Sequence, residues 1–172
     1  VTFTPTDTTT YTSVTQTATI TVGQATLTVT AANASRAFGA ANPVFTATAA
    51  GAVNGDTFTL TASSTATASS PVGTYAIVPA ATGANLASYN VVYVNGTLTV
   101  GKATPVVIWA NPAGISYGTP LSATQLDATS VTPGSFVYTP AAGAVLPVGT
   151  DTLSVTFTPT DTTTYTSVTQ TA

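Results

Sequence analysis

The stretch VTFTPTDTTTYTSVTQTA opens the chain at Val1 and closes it, unchanged, from Val155 to Ala172. A chain that returns to its own opening after about 154 residues is read first as a repeat array, in which each copy of a segment takes the same fold. A weaker echo lies inside that period. Thr21-Val22-Gly23-Gln24-Ala25-Thr26 and Thr99-Val100-Gly101-Lys102-Ala103-Thr104 share the form T-V-G-x-A-T. Each ends one strand pattern at Gly and begins another within about three residues, which marks two module boundaries with very short linkers. The expected organisation is residues 1–22 as the C-terminal strands of a preceding module, 25–101 as one whole module, and 103–172 as a second that lacks its last strand half. In the first copy the shared stretch runs on into Thr19-Ile20-Thr21-Val22, so the polypeptide is expected to continue in both directions as alternating modules.

With 44% hydrophobic residues the 172-residue chain can fill a core as one large or two small domains. The charged fraction is only 4%, against roughly 25% in ordinary soluble proteins, and Thr supplies about a quarter of the residues. A β-branched residue with a hydroxyl suits the solvent face of a pleated sheet. The fold class expected is therefore all-β, built of two small tandem modules. Val14, Ala18, Ile20 and Val22 alternate with Thr or Ser and predict one half-buried strand. Val1 and Phe3, with their copies Val155 and Phe157, predict another, and Thr26–Thr30, Phe58–Leu60 and Tyr75–Val78 predict more. The runs Val91–Val94 and Thr97–Val100 flank Asn95-Gly96, which predicts a hairpin with a type I′ turn because both residues tolerate positive φ. Helical periodicity nowhere exceeds two turns or so, with Gly83–Ser88 the one short candidate.

Charge excludes several functions. Asp7, Asp56, Asp127, Asp151 and Asp161 face only Arg36 and Lys102, with no Glu and no His. Nucleic acid is not an expected partner, since two isolated cations cannot displace a phosphate counterion atmosphere, and the same poverty speaks against anionic lipid. Every apolar run is broken by Thr, Gly or Pro, so no membrane insertion is expected in this segment. Without Cys there is neither a disulfide frame nor a thiolate metal site. A nucleophile would lack its usual base, so no enzyme activity, cofactor or catalytic residue is expected. Asn54-Gly55-Asp56 and Gly149-Thr150-Asp151 read as turns in which Asp caps backbone, in preference to calcium ligands at a junction. Lys102 reads as a solvated linker cation in preference to an isopeptide donor, which needs a buried acid beside it.

The second module carries Ile108-Trp109-Ala110-Asn111-Pro112, then Tyr117-Gly118-Thr119-Pro120-Leu121, Phe136-Val137-Tyr138-Thr139-Pro140 and Phe157-Thr158-Pro159-Thr160-Asp161 in order. It resembles a bacterial Ig-like repeat of large surface proteins, which implies a small sandwich. The first module carries Leu27-Thr28-Val29-Thr30-Ala31, Asn42-Pro43, Val53-Asn54-Gly55-Asp56, Pro71-Val72-Gly73-Thr74-Tyr75 and Tyr89-Asn90 through Val100. It resembles the MBG domain of the YGX type, which leaves a sandwich or a β-grasp-like fold open. One departure stands out: the family's Tyr-Gly is here Phe38-Gly39, which removes a hydroxyl. Both resemblances imply repeated modules on the bacterial cell surface, and neither implies catalysis.

The residues singled out are structural ones. Asp161 and Tyr165, with their copies Asp7 and Tyr11, have the spacing of a tyrosine corner, whose hydroxyl bonds upstream backbone. Trp109, the one Trp, reads as core in preference to a sugar platform. Thr8, Thr9 and Thr10, with Thr162, Thr163 and Thr164, are possible O-glycosylation sites, although β-propensity alone accounts for them. Asn33-Ala34-Ser35 and Asn95-Gly96-Thr97 fit the N-glycan acceptor pattern. The expected function is an extracellular spacer in a filament, stalk or adhesin shaft, with copies of itself as partners through β edges. The alternative is a module of an adhesin that binds a ligand, glycan or other surface component.

Overall fold

Alternating threonine and apolar positions set the strands of the computed structural model, which describes residues 1–172. The fold is all-β, and its one helical element is a 3-10 turn at Leu86–Ser88. No helix is long and apolar enough to cross a membrane. The chain opens with β1 (Thr2–Phe3) and β2 (Val14–Thr15), which pair antiparallel as a two-stranded ribbon. The strand expected from Val14 to Val22 ends at Thr15, and Ile20 and Val22 are exposed. Nothing packs on them to reward an ordered, half-buried strand.

Seven strands follow: β3 (Ala25–Ala31), β4 (Ala34–Ala37), β5 (Ala47–Ala50), β6 (Thr59–Ser63), β7 (Gly73–Thr82), β8 (Tyr89–Val94) and β9 (Gly96–Gly101). They form two sheets, ordered β5-β3-β8 and β4-β9-β7-β6. Leu27, Val29 and Ala31 of β3 point inward while Thr26, Thr28 and Thr30 alternate outward, the period-two signature of a strand with one core face. Ile77 and Ala81 of β7 and Leu98 and Val100 of β9 complete the buried layer. With no α-helix across either sheet, the module is a sandwich and not β-grasp-like.

The expected hairpin at Asn95-Gly96 does not form. β8 pairs parallel with β3 in one sheet, and β9 pairs parallel with β4 and antiparallel with β7 in the other. The partners Ala25↔Tyr89, Thr30↔Val94, Ala34↔Leu98 and Ala37↔Gly101 keep one 64-residue offset throughout. Two parallel strands therefore cross from sheet to sheet side by side, and Asn33 Oδ1 accepts the Thr97 amide at 2.8 Å in the corner. Gly96 is needed there for its missing side chain: a Cβ would lie 2.5 Å from the Ala32 carbonyl oxygen and 2.8 Å from that of Ala31. The type I′ turn of the module is Asn54-Gly55, with φ of 56° and 75° and the Asp56 amide bonded to the Val53 carbonyl.

The last part holds β10 (Val107–Ile108) paired with β11 (Thr129–Ser130), and a sheet of β12 (Gly134–Thr139), β13 (Ser154–Pro159) and β14 (Val168–Thr171). Its core is Trp109, Leu121, Leu126, Ala128, Leu153 and Val155, with Phe136 and Tyr138 packed against it. Trp109 is buried and its indole N–H donates to the Gln125 carbonyl at 3.0 Å, so the polar edge of the ring is satisfied. Phe157 is fully buried, 4.8 Å from Phe136 between ring centroids. All sheet ladders stay within 2–15, 25–101 or 107–171.

Candidate functional site

The most specific arrangement in the chain lies where the middle and last parts meet. The Phe38 amide donates to the Gly101 carbonyl at 2.8 Å, which ties the end of β9 to β4. Two residues on, the Ala103 amide donates to the Thr164 carbonyl and the Ala103 carbonyl accepts the Thr166 amide, both at 2.9 Å. Only Lys102 separates a residue bonded to one part from a residue bonded to the other. Each residue contributes two soft dihedrals, so the connection has very little freedom to bend. Lys102 Nζ further donates to the Thr162 carbonyl at 2.6 Å. The Phe38 ring meets the Tyr165 ring edge-on, with centroids 6.0 Å apart, which adds an aromatic contact across the joint.

The other T-V-G-x-A-T stretch repeats this plan. Gln24 Nε2 donates to the Ala87 carbonyl at 2.9 Å. The residue after it, Ala25, pairs in parallel with Tyr89, as Ala103 pairs in parallel with Tyr165. The variable residue of the motif thus reaches forward in both places and fixes the entry of the following strand.

Asp161 and Asp7 build the same turn. Asp161 Oδ1 accepts the amides of Thr163 and Thr164 at 3.0 and 3.1 Å and the Thr163 hydroxyl at 2.6 Å. Asp7 Oδ1 does likewise with the amides of Thr9 and Thr10 at 2.9 and 3.1 Å and the Thr9 hydroxyl at 2.7 Å. These donors, the Thr163 and Thr9 side chains foremost, lower both carboxyls to about 2. The Thr9 and Thr163 hydroxyls are therefore already engaged, whereas Thr8 and Thr162 stand exposed beside them.

The corner-type hydroxyl bond expected of Tyr165 and Tyr11 is not made. Their amides close the turn on the Asp161 and Asp7 carbonyls, at 3.1 and 3.3 Å, while the Tyr165 ring lies on Phe38 and the Tyr11 ring is exposed. The bond with that reach belongs to Tyr75, whose hydroxyl donates to the Pro71 carbonyl four residues upstream at 2.8 Å. Asp56 does not cap backbone either. Its carboxylate accepts the Tyr89 hydroxyl at 2.7 Å and Asn85 Nδ2 at 2.6 Å, and these two donors, Tyr89 first, lower its pKa. The Val53 amide donating to the Tyr89 hydroxyl pulls that phenol down, but burial and the Asp56 charge together hold it above its ordinary value. This network locks the Asn54-Gly55 turn onto β8.

A cleft of about 400 Å³ lies at the far end of the last part, between Pro112–Thr119 and Leu146–Asp151. Tyr117, Ser116 and Asp151 give it polar groups beside Pro112, Ile115 and Pro147. The five aspartates do not gather, and no three carboxylates come together as a metal cage. Lys102, exposed and bonded to a carbonyl, has no acid placed beside it for an isopeptide bond.

The chain is all-β, with multiple sheets whose ladders stay within separate stretches of sequence. Residues 27–99 match the family model of the MBG domain (YGX type), which spans the sandwich from β3 to β9. No curated protein matches the chain, and no solved structure does. Phe38-Gly39, in the place of that family's Tyr-Gly, sits at the joint, with Gly39 at φ of 80° turning the chain away after the Phe38 contact.

Proposed function

We propose that this chain is a structural repeat unit of an extracellular bacterial filament, stalk or adhesin shaft, and that it acts as a semi-rigid spacer without catalysis. Residues 25–101 are one module, 103–172 an Ig-like second, and 1–22 the closing strands of a further copy of the second kind. The observation that carries this reading is the joint at Lys102, where bonded residues of both modules are separated by a single residue. A joint of that kind transmits orientation, which a ligand-binding domain on a flexible tether does not need. The match to the MBG domain supports a surface repeat. A threonine-rich exterior with few charges supports a hydrated rod, and exposed Thr8 and Thr162 are where O-linked sugars would extend that coat.

The cleft between Pro112–Thr119 and Leu146–Asp151 favours a second reading, a module that grips a glycan or surface component. Small-angle scattering and a glycan array separate the two. The spacer reading expects wild-type profiles fitted by one elongated conformer, and a broad ensemble once a Gly-Ser-Gly-Ser insert follows Lys102. Equal flexibility in both proteins, or saturable binding of one glycan that is lost in Asp151→Ala, overturns it.

A further inference from the structure

The two sheets of the sandwich at 25–101 end in β5 and β8 on one side of the core and in β4 and β6 on the other. Three of these edges are guarded. Arg36 puts a cation on β4, and its guanidinium bonds Asn42 Oδ1 at 2.7 Å and the Thr67 carbonyl, which draws two loop segments along that edge. β5 is a run of four small residues and lies close to β6, so those two edges shield each other. β8 has no such device. Its sequence Tyr89-Asn90-Val91-Val92-Tyr93-Val94 holds neither charge nor Pro, and beyond the ladder to β3 no residue from Asn90 to Val94 makes a hydrogen bond. Val91 and Tyr93 share the core face with their partners Leu27 and Val29, yet Tyr93 is 46% exposed while Val29 is fully buried. The core is thus left open along this flank. On the outer face Val92 and Val94 are each 42% exposed. β8 lies mid-chain, far in sequence from either terminus.

We propose that β8 is a docking edge for β8 of a second copy of this chain, the two strands pairing antiparallel about Val92. The row of N–H and C=O groups that faces away from β3 is met in full by another extended backbone. The side-chain pattern selects the copy. With Val92 opposite the partner's Val92, Val91 meets the partner's Tyr93 on the core face and Tyr93 meets the partner's Val91, so each sandwich closes the other's open flank. Asn90 meets the partner's Val94 on the outer face. Charge selects the direction. Asp56, bonded to the Tyr89 hydroxyl at 2.7 Å, places a carboxylate at the start of β8. Antiparallel pairing sends the two carboxylates to opposite ends, about 20 Å apart and beyond a Debye length of about 8 Å, whereas parallel pairing sets them side by side. The contact is isologous and closes on two copies, and one strand pair makes it a weak one. It goes beyond the spacer reading and does not need it, since a single sandwich carries the edge.

Sedimentation velocity on the full chain tests it, with amide shifts of Asn90–Val94 reporting the edge. Wild type is expected to dimerise as concentration rises, and those amides to shift with it. Val92→Lys and Val92→Asp change an exposed side chain and keep the fold, but each sets like charges opposite one another across the axis. Either variant alone should need a concentration about tenfold higher or more. Mixed in equal amounts, they pair Lys with Asp and return to the wild-type range. Val92→Cys, in a chain without cysteine, checks the register by a second route: mild oxidation should link it into dimers far faster than Thr30→Cys, one strand further in. The proposal is overturned if wild type stays monomeric at millimolar concentration, if either charged variant dimerises as wild type does, if the mixture fails to recover, or if the two cysteine variants crosslink alike. A Thr-Val-Thr-Val-Thr-Val peptide that binds β8 of a chain which itself stays monomeric also overturns it, by making the occupant a segment of another protein.

Discussion

Residues 1–18 and 155–172 are one sequence in two settings. Both make the Asp-Thr-Thr turn, both hold the carboxyl near 2, and both pair their strands in one register. They part company at the apolar side chains. Val155 and Phe157 are wholly buried, whereas Val1 and Phe3 lie in water. Burial of each such side chain contributes about 1.5–3 kcal/mol, and a two-stranded ribbon alone is marginal in water. Turn and register are thus local properties of the segment. Its stability belongs to the groove around Val155 and Phe157, and the groove is built from residues as distant in sequence as Trp109.

The sharpest way to break this comparison is to truncate the two phenylalanines in turn. In dilute solution Phe157→Ala should destabilise the last module by about 3–5 kcal/mol, followed by Trp109 fluorescence in urea, and Phe3→Ala should stay within about 0.5 kcal/mol. Equal effects would mean that the first hairpin has a seat of its own. Next in size is Gly134→Ala, which drives a methyl into the Phe157 ring and the Thr158 carbonyl. It should cost about 1–3 kcal/mol in the last module and leave the amide spectrum of residues 1–18 unmoved.

Acid sharpens the contrast from the other side. Asp161 titrates near 2 in the fold and at 3.8 otherwise, so the unfolded chain binds the proton first as pH falls. The stabilisation by the Asp161 turn is complete above about pH 4 and lost as pH drops towards 2. With no groove to hold its ribbon, Asp7 should titrate above Asp161 in carboxyl titrations followed by NMR, nearer the ordinary 3.8. The smallest effect expected is from Thr163→Ala, which removes one donor and raises the Asp161 midpoint toward its ordinary value with little change in module stability.

Much of the fold was legible because strands with one wet face write themselves as alternation. Leu27, Val29 and Ala31 against threonines, and Leu98 and Val100 against Thr97 and Thr99, point where the pattern says. Asn95-Gly96 misled for a physical reason. Asn-Gly is a local signal for positive φ, and it told the truth at Asn54-Gly55. At Gly96 the requirement comes instead from carbonyls of Ala31 and Ala32 brought close by the parallel crossing, and no local pattern carries that. The joint was legible in part. The T-V-G-x-A-T echo located it, but the Phe38 contact with Tyr165 and the bond from Lys102 to Thr162 depend on which loop faces the linker. Asp56 likewise reads in the sequence as a backbone cap, whereas its partners Tyr89 and Asn85 are some thirty residues away, beyond the reach of any turn rule.

Amide hydrogen exchange in dilute solution probes the division between local shape and borrowed stability at matched positions. Both members of each pair, Phe3 with Phe157 and Thr15 with Thr169, have the same neighbours in sequence. Strong protection at Phe157 and Thr169, with exchange near the unfolded rate at Phe3 and Thr15, is the predicted result. Equal protection in the two copies would show that the hairpin is stable by itself and that the groove adds nothing.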